Sequence, residues 1–210
     1  TPPVGSDLNP ALTLDSRIED LLGGQGVNLG LINITLNNGA AETAQVDLTG
    51  AETIGDIKTR LEAAFPVAPG VLTLTVDIDP ATNSGIRLTP SAGTVAVTDL
   101  SGSTVARDLG VASAAAATVN GGDLDPQLTL LTNLTDLNGG TGIGTTSGDT
   151  FLVTNGTSTK TVDISTATTI EDVFNLLKTA DRDIQVGINA AGNGLAISSR
   201  LSGSRSEEHT

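Results

Sequence analysis

The chain contains one sequence pattern twice, and this duplication limits the folds that it can adopt. Asp7 begins DLNPALTLDSRIEDLLGGQGV and Asp123 begins DLDPQLTLLTNLTDLNGGTGI, and 11 of the 21 aligned positions are identical without a gap. At the same offset VDLTGAETIGDI matches VDISTATTIEDV, and after a small deletion DIDPATNSGIRLT matches GINAAGNGLAIS. Three matches in the same order indicate tandem repeats, so the structure of one repeat should be built twice.

The duplication predicts how the chain is divided. The expected parts are a linker at 1–6, repeat 1 at 7–115, a short Ala/Gly-rich linker at 116–122, a truncated repeat 2 at 123–203 and a tail at 204–210. The opening TPPVGS has the composition of a linker and no initiator Met precedes it, which predicts that the chain is a fragment.

Each repeat has the periodicity of two β-hairpins separated by a helix. In repeat 1, LGLINITL alternates between apolar and polar residues and runs into an Asn-Gly turn, which is typical of a hairpin. Thr53 and Asp56 have the spacing of a capping box, apolar residues then recur at helical spacing, and Pro66 ends the helix. Repeat 2 shows the same order, with Thr169 as the helix cap. The predicted fold is α+β, with two tandem repeats that each form a small antiparallel β-sheet, in the order β-β-α-β-β, packed on one helix.

Composition excludes several classes of partner. The net charge is −14 with only ten Lys and Arg, which argues against nucleic acid because phosphate binding needs clustered basic residues. No apolar stretch is long enough to cross a bilayer, so membrane insertion is not expected. With no Cys, Met, Trp or Tyr and only three Phe, the core must consist of Val, Ile, Leu and Ala.

Two loops could be mistaken for binding sites. GGTGIGTTSGDT from Gly139 is rich in glycine but lacks the Gly-Lys-Ser/Thr ending of a phosphate-binding loop, and a flexible entry to a hairpin is the simpler interpretation. Asp77, Asp79 and Asn83 offer oxygen ligands at alternating positions, but a calcium loop needs a tighter pattern and a closing Glu. We therefore expect a polar β-turn there and predict no metal and no cofactor site.

The acidic residues do not form a convincing catalytic pattern, and no catalytic residue is predicted. A glycosidase needs a pair of carboxylates, usually beside aromatic residues that contact the sugar, and no such setting is evident. The matched carboxylates are better explained by a strand edge, for Asp47 and Asp163, and by a helix N-terminus, for Asp56 and Asp172. We also note three Asn-x-Thr triplets as weak glycosylation candidates, at Asn33, Asn133 and Asn155.

The only histidine, His209, lies beside Glu207 and Glu208 in the final RSEEHT and could suggest a metal or acid–base site. Translated backwards, this hexapeptide is AGA TCG GAA GAG CAC ACG, which resembles the start of a sequencing-library adapter. We expect residues 205–210 to be such a read-through rather than part of the protein; a natural charged linker is the alternative.

The ordered pattern resembles the flagellin hook IN motif. This motif has a strand ending in Asn-Gly, a threonine-capped helix, a strand, and a glycine turn into a final strand. Repeat 2 presents it as FLVTNG…TVDISTATTIEDVFNLLKTADRDIQVGINAAGNGLAIS, and repeat 1 as INITLNNG…VDLTGAETIGDIKTRL…LTVDIDPATNSGIRLT. The following VTDLSGSTVARDLGV resembles the usual continuation. The Ile-Asn pair that normally closes the helix is replaced here by Phe65-Pro66 and Ala180-Asp181.

The resemblance implies a non-catalytic, extracellular domain of a bacterial flagellar filament, junction or cap protein. Its partners would be other flagellar axial subunits, contacted through helical segments that these 210 residues do not contain. The alternative is a binding or spacer module of a secreted adhesin or another cell-surface repeat protein.

Overall fold

The computed structural model describes residues 5–143 and 150–200, and the chain divides into two compact units. We call Ala11–Gln127 the first-repeat unit. The second-repeat unit contains residues 5–10, 128–143 and 150–200. Both combine helices with small antiparallel sheets, which confirms the predicted α+β class.

The first-repeat unit contains seven strands, three α-helices and one 3-10 turn among its described residues. In chain order they are the 3-10 turn Ile18–Asp20, α1 (Leu21–Gly24), β1 (Leu31–Asn37), β2 (Ala41–Asp47), α2 (Ile54–Ala63), β3 (Leu74–Ile78), β4 (Ile86–Pro90), β5 (Thr94–Asp99), α3 (Val105–Asp108), β6 (Ser113–Ala116) and β7 (Val119–Asn120). They form a four-stranded sheet in the order β2-β1-β5-β6 and a three-stranded sheet in the order β3-β4-β7.

Over its described residues, the second-repeat unit repeats this order with fewer strands. Its elements are the 3-10 turn Leu134–Asp136, α4 (Leu137–Gly140), β8 (Thr150–Asn155), β9 (Ser158–Asp163), α5 (Ile170–Ala180), β10 (Ile184–Ile188) and β11 (Leu195–Ser199). Strands β8 and β9 form one hairpin, and β10 and β11 form another.

The prediction of a single sheet in each repeat is wrong, because the two hairpins belong to different sheets. In the first-repeat unit the second edge of β1 pairs with β5, and the second edge of β4 pairs with β7. The second edges of β1 and β4 are therefore occupied by strands from later in the chain.

Residues 116–122, where the sequence predicts a linker, include strand residues in the structure. Ala116 pairs with Val95, and β7 pairs with β4 through Val119 and Asn120. The Ala/Gly-rich composition suggested a link, but these small residues allow backbones to approach closely. A Cβ atom added to Gly121 would lie only 2.6 Å from the carbonyl oxygen of Ile86.

The two long helices begin as the sequence predicts. The Thr53 hydroxyl accepts a hydrogen bond from the Asp56 N–H at 3.2 Å, and the Asp56 carboxylate accepts one from the Thr53 N–H at 3.1 Å. Thr169 and Asp172 form the same reciprocal pair at the start of α5. The capping boxes satisfy N–H groups that a helix leaves unpaired, so they fix where each helix starts.

Each unit has its own apolar core of aliphatic residues and Phe. Strand β1 contributes Ile32, Ile34 and Leu36, all fully buried, because alternate residues of a strand face the same side. The first-repeat core contains 25 buried hydrophobic residues and the second-repeat core 11, counted over the described residues. The first-repeat unit therefore has the larger core to stabilise it.

Candidate interaction site at the edge of the second repeat

The matched carboxylates serve local structure, as the sequence suggests. Backbone hydrogen bonds from Thr168 and Thr169, with a further bond from the Thr168 hydroxyl, lower the pKa of Asp172 to about 2. In α2, hydrogen bonds from the N–H groups of Glu52 and Thr53 lower the pKa of Asp56 in the same way. Both carboxylates are ionised at neutral pH and lie at helix N-termini, where negative charge is favourable.

Asp47 and Asp163 end the equivalent strands β2 and β9. Hydrogen bonds from Thr49 lower the pKa of Asp47, and hydrogen bonds from Ser165 lower the pKa of Asp163. The side chain of each aspartate therefore closes a turn with the N–H group two residues further along the chain.

The segment from Asp77 forms a polar turn, as predicted. Asp79 is buried, and its carboxylate accepts a hydrogen bond from the Ala81 N–H at 3.0 Å. The Asn83 N–H donates to the backbone carbonyl of Asp79 at 2.8 Å, while Asp77 lies beside Lys58 and Arg87. Among residues 5–143 and 150–200, no group of three or more His, Asp or Glu could hold a metal ion.

The glycine-rich loop falls partly outside the described residues, since 144–149 are not among them. Gly139 lies in α4, and its N–H donates to the carbonyl of Asn9 at 2.7 Å. His209 and its neighbouring glutamates also lie outside the described residues. Within the part of the chain that is described, no helix has the length and apolarity needed to cross a bilayer.

The three Asn-x-Thr triplets lie in different environments. Asn133 is exposed, whereas Asn33 is half-buried within β1. Asn155 is only 5% exposed; its carbonyl oxygen accepts a hydrogen bond from the Ser199 hydroxyl at 2.6 Å, and its amide donates to Asp181 at 3.2 Å. Burial of this amide means that a glycan on Asn155 would break the folded arrangement.

Asn155 lies in a part of the second-repeat unit that differs from its counterpart in the first-repeat unit. Strand register places Phe151 opposite Val162, as Ile32 lies opposite Val46. Counting along the strands, Phe151, Val153 and Asn155 correspond to the buried Ile32, Ile34 and Leu36. In the second repeat the two apolar positions are only half-buried, and the third is a polar residue.

The difference arises because β8 has one paired edge among the described strands. In the first repeat β5 pairs with β1 and places Val95 and Val97 in the core. At β8 only β9 is paired within the described residues, and Leu152 is 69% exposed. A hollow of about 330 Å³ lies beside this edge, lined by Val153, Thr154, Asn155, Ile184, Ile197, Ser198 and Ser199.

This edge is the candidate interaction site of the chain. A strand edge presents alternating N–H and C=O groups, and an extended segment can pair with them and place alternate side chains against the apolar hollow. The sequence prediction did not name this site. Two signals pointed to it: the polar Asn155 at a position where repeat 1 has Leu36, and the predicted truncation of repeat 2 at 203, before the residues that would match β5.

Comparisons with protein-family models, with curated proteins and with solved structures find no match to this chain.

Proposed function

We propose that this chain is a structural, surface-exposed domain of an extracellular bacterial flagellar filament or hook-associated protein, and that it has no catalytic role. The observation that carries the proposal is the order of elements in both units. Each has a hairpin, a helix begun by a Thr–Asp capping box, and a second hairpin closed by a polar turn. This is the order of the flagellin hook IN motif, which the sequence of both repeats resembles.

The surface chemistry agrees with a solvent-facing structural module. Four of the carboxylates with lowered pKa values, Asp47, Asp56, Asp163 and Asp172, cap helices or close turns, and a fifth, Glu62, pairs with Lys58 on α2. A net charge of −14 keeps such a domain soluble and limits its self-association. Its partners would be other axial subunits, reached through segments outside these 210 residues.

The experiment that tests the proposal is immunogold electron microscopy of cells that carry the gene. An antibody raised against the folded 210-residue chain should label flagellar filaments, their tips or the hook–filament junction. Loss of that labelling in a strain without flagella is the matched control. Sequencing the complete gene should also find helical, heptad-rich segments on both sides of this region.

The edge of β8 with which no described strand pairs favours one alternative, a binding or spacer module of a secreted adhesin. In that case the antibody would label the cell envelope of the non-flagellated strain as well, and the gene would encode a cell-wall or outer-membrane anchor. Either result would overturn the flagellar proposal.

A further inference from the structure

Two short segments with matching sequences occupy equivalent places in the two units. Residues 5–10 read GSDLNP and residues 121–126 read GGDLDP; we call them the first and second docking segments. Both have the same local shape. Asn9 and Asp125 have the same positive φ of 37°, and each N–H donates to the Asp two residues earlier, at 2.7 and 2.8 Å.

The second docking segment packs in the first-repeat unit through four backbone hydrogen bonds. From donor to acceptor these are Gly121 to Ile86 (2.8 Å), Leu124 to Ser84 (2.8 Å), Leu22 to Leu124 (2.7 Å) and Gly23 to Asp125 (2.8 Å). Leu124 is 1% exposed and belongs to the core, and Pro126 is buried.

The first docking segment makes the same four bonds in the second-repeat unit. They are Gly5 to Leu195 (3.0 Å), Leu8 to Asn193 (2.8 Å), Asn138 to Leu8 (2.7 Å) and Gly139 to Asn9 (2.7 Å). Leu8 packs against that unit's core, Pro10 is buried, and the Asn193 amide also donates to the Asp7 carboxylate at 3.0 Å.

Both sites require glycine at equivalent positions, because two backbones meet there without room for a side chain. A Cβ atom on Gly5 would lie 2.8 Å from the carbonyl oxygen of Leu195. On the opposite side of each contact, a Cβ on Gly194 would lie 2.6 Å from the Ser6 carbonyl oxygen, and one on Gly85 would lie 2.6 Å from that of Gly121. Each site therefore accepts only a segment that follows this backbone path and has glycine at the point of close approach.

The two docking segments are connected to their units from opposite ends of the chain. The second docking segment reaches its site from the C-terminal side of the unit that it completes. The first docking segment lies at the start of repeat 1 in the sequence. It nevertheless packs in the unit built from repeat 2, and the whole first-repeat unit lies between the two in the chain. The same four hydrogen bonds form in both cases, so the site does not depend on how the segment is connected to it.

We infer that each unit carries a recognition site for the Gly-x-Asp-Leu-(Asn/Asp)-Pro segment, and that a second copy of this chain can supply this segment in exchange for the first docking segment. Exchange replaces four backbone hydrogen bonds and the Leu8 contact with identical ones, so its intrinsic cost is small. In the free chain the tethered segment has the advantage of a high effective concentration, and exchange therefore requires concentrated protein. This inference does not depend on the flagellar proposal.

The first test supplies the segment as a peptide. The full chain carrying Gly5→Ala and Leu8→Asp, which weaken its own first docking segment, is titrated with the synthetic peptides GSDLNPAL and GGDLDPQL. We expect saturable shifts of the Asn138 and Gly139 amide NMR signals for both peptides. The unaltered chain should need roughly tenfold more peptide or more, because its own segment competes. A peptide with Leu replaced by Asp should cause no shift.

The signals of α5 show whether the variant is folded. If it is folded and neither peptide shifts Asn138 or Gly139, the inference is wrong. If it is not folded, the unaltered chain with peptide at roughly millimolar concentration decides, since displacement must then move the Leu8 and Asn9 amide signals of the chain's own segment away from their docked positions. If these signals stay in place, the inference is wrong.

A second test measures exchange between whole chains. A chain carrying Gly5→Ala, which keeps an intact site, is refolded at roughly millimolar concentration with a chain carrying Gly194→Ala, which keeps an intact segment. We expect a dimer fraction in sedimentation velocity of the mixture that neither variant shows alone. Gly187→Ala is the matched control, because no described atom lies within 4 Å of the Cβ it would add. A dimer fraction that is absent from the mixture, or that is equally large when Gly187→Ala takes the place of Gly194→Ala, would contradict exchange through this segment.

Discussion

At the scale of single residues, the carboxylate of Asp172 shows how a small polar contact sets the start of a helix. It accepts hydrogen bonds from the backbone of Thr168 and Thr169 and from the Thr168 hydroxyl, all between 2.8 and 3.0 Å. These bonds favour the ionised form, which is why the pKa lies at about 2 rather than 3.8. The stability of α5 is therefore linked to pH.

We expect acid to weaken the second-repeat unit through this residue. Because the folded pKa of Asp172 is depressed, its contribution is complete above pH 3.8 and is lost as the pH falls towards 2. Asp172→Asn should lower the free energy of unfolding at pH 7 and have little effect near pH 2. Urea titrations followed by the amide NMR signals of α5, at several pH values, measure this difference.

Glu171→Gln is the matched control, since Glu171 occupies the same helical turn with an exposed side chain. The explanation would be wrong if Asp172→Asn and the unaltered chain lost stability in parallel between pH 4 and 2.

Asn155 gives a second prediction at the residue scale. Its amide holds Ser199 and Asp181 together, so Asn155→Ala removes two hydrogen bonds from a buried position. We expect a loss of about 1–2 kcal/mol in the free energy of unfolding of the second-repeat unit. Asn175→Ala, on the exposed face of α5, should change it by less than about 0.5 kcal/mol. Equal effects of the two substitutions in thermal unfolding would refute the role of Asn155.

At the scale of elements, the two long helices pack by different means. In α2, Lys58 and Glu62 form an ion pair at 2.7 Å; the Lys58 ammonium also donates to the Val76 carbonyl, and the Val76 N–H donates to Glu62 at 2.9 Å. In α5, the positions that match Lys58 and Glu62 are occupied by the buried Phe174 and by Lys178. Helix α2 is thus attached to its sheet by polar contacts where α5 uses an aromatic ring.

Glu62→Gln should therefore weaken the first-repeat unit in a pH-dependent way. Partial burial raises the pKa of Glu62, but the hydrogen bonds from Lys58 and Val76 and the charge of Lys58 lower it overall. A depressed carboxylate pKa means that the stabilisation is present above pH 4.5 and is lost as the pH falls. We expect a cost of about 0.5–1 kcal/mol at pH 7 that disappears in acid.

Urea unfolding of the first-repeat unit at pH 7 and pH 3 measures this effect. Glu52→Gln, at an exposed position before the same helix, should be neutral at both. A cost of Glu62→Gln that stays the same at pH 3 would indicate a loss of packing rather than of charge.

Local signals predicted the elements well, and distant pairings were missed. The capping boxes at Thr53 and Thr169 were predictable because the contributing residues lie three apart in sequence. Strands β6 and β7 were not, because SAAA and VN lack alternation and form only through pairing with β5 and β4. For the same reason the division into two sheets, and the edge of β8 with which no described strand pairs, could not be predicted from one repeat considered alone.

At the scale of the whole molecule, the two units differ in how much apolar surface they bury. Twenty-five buried hydrophobic residues form the first-repeat core and 11 the second-repeat core, among the described residues. In the second-repeat unit, no described strand pairs with the second edge of β8. Burial of apolar surface is the main favourable contribution to folding, so the units should differ in stability.

We expect the second-repeat unit to unfold first on heating. Amide NMR signals of β8 to β11 should disappear at a lower temperature than those of β1 to β5, which would make a single melting temperature an incomplete description. Coincident loss of all signals, at the same temperature in both units, would contradict this expectation. Val173→Ala should shift only the first transition and Ile57→Ala only the second, since each lies in one core.

The docking segments have a consequence for how such genes change length. Each sequence repeat begins with a docking segment. The first-repeat unit, Ala11–Gln127, instead ends with one. Unequal recombination between matching stretches adds or removes a segment and a receiving site together. Arrays with different numbers of repeats can therefore arise without leaving an internal unit incomplete, and copy number can vary without any change in the fold.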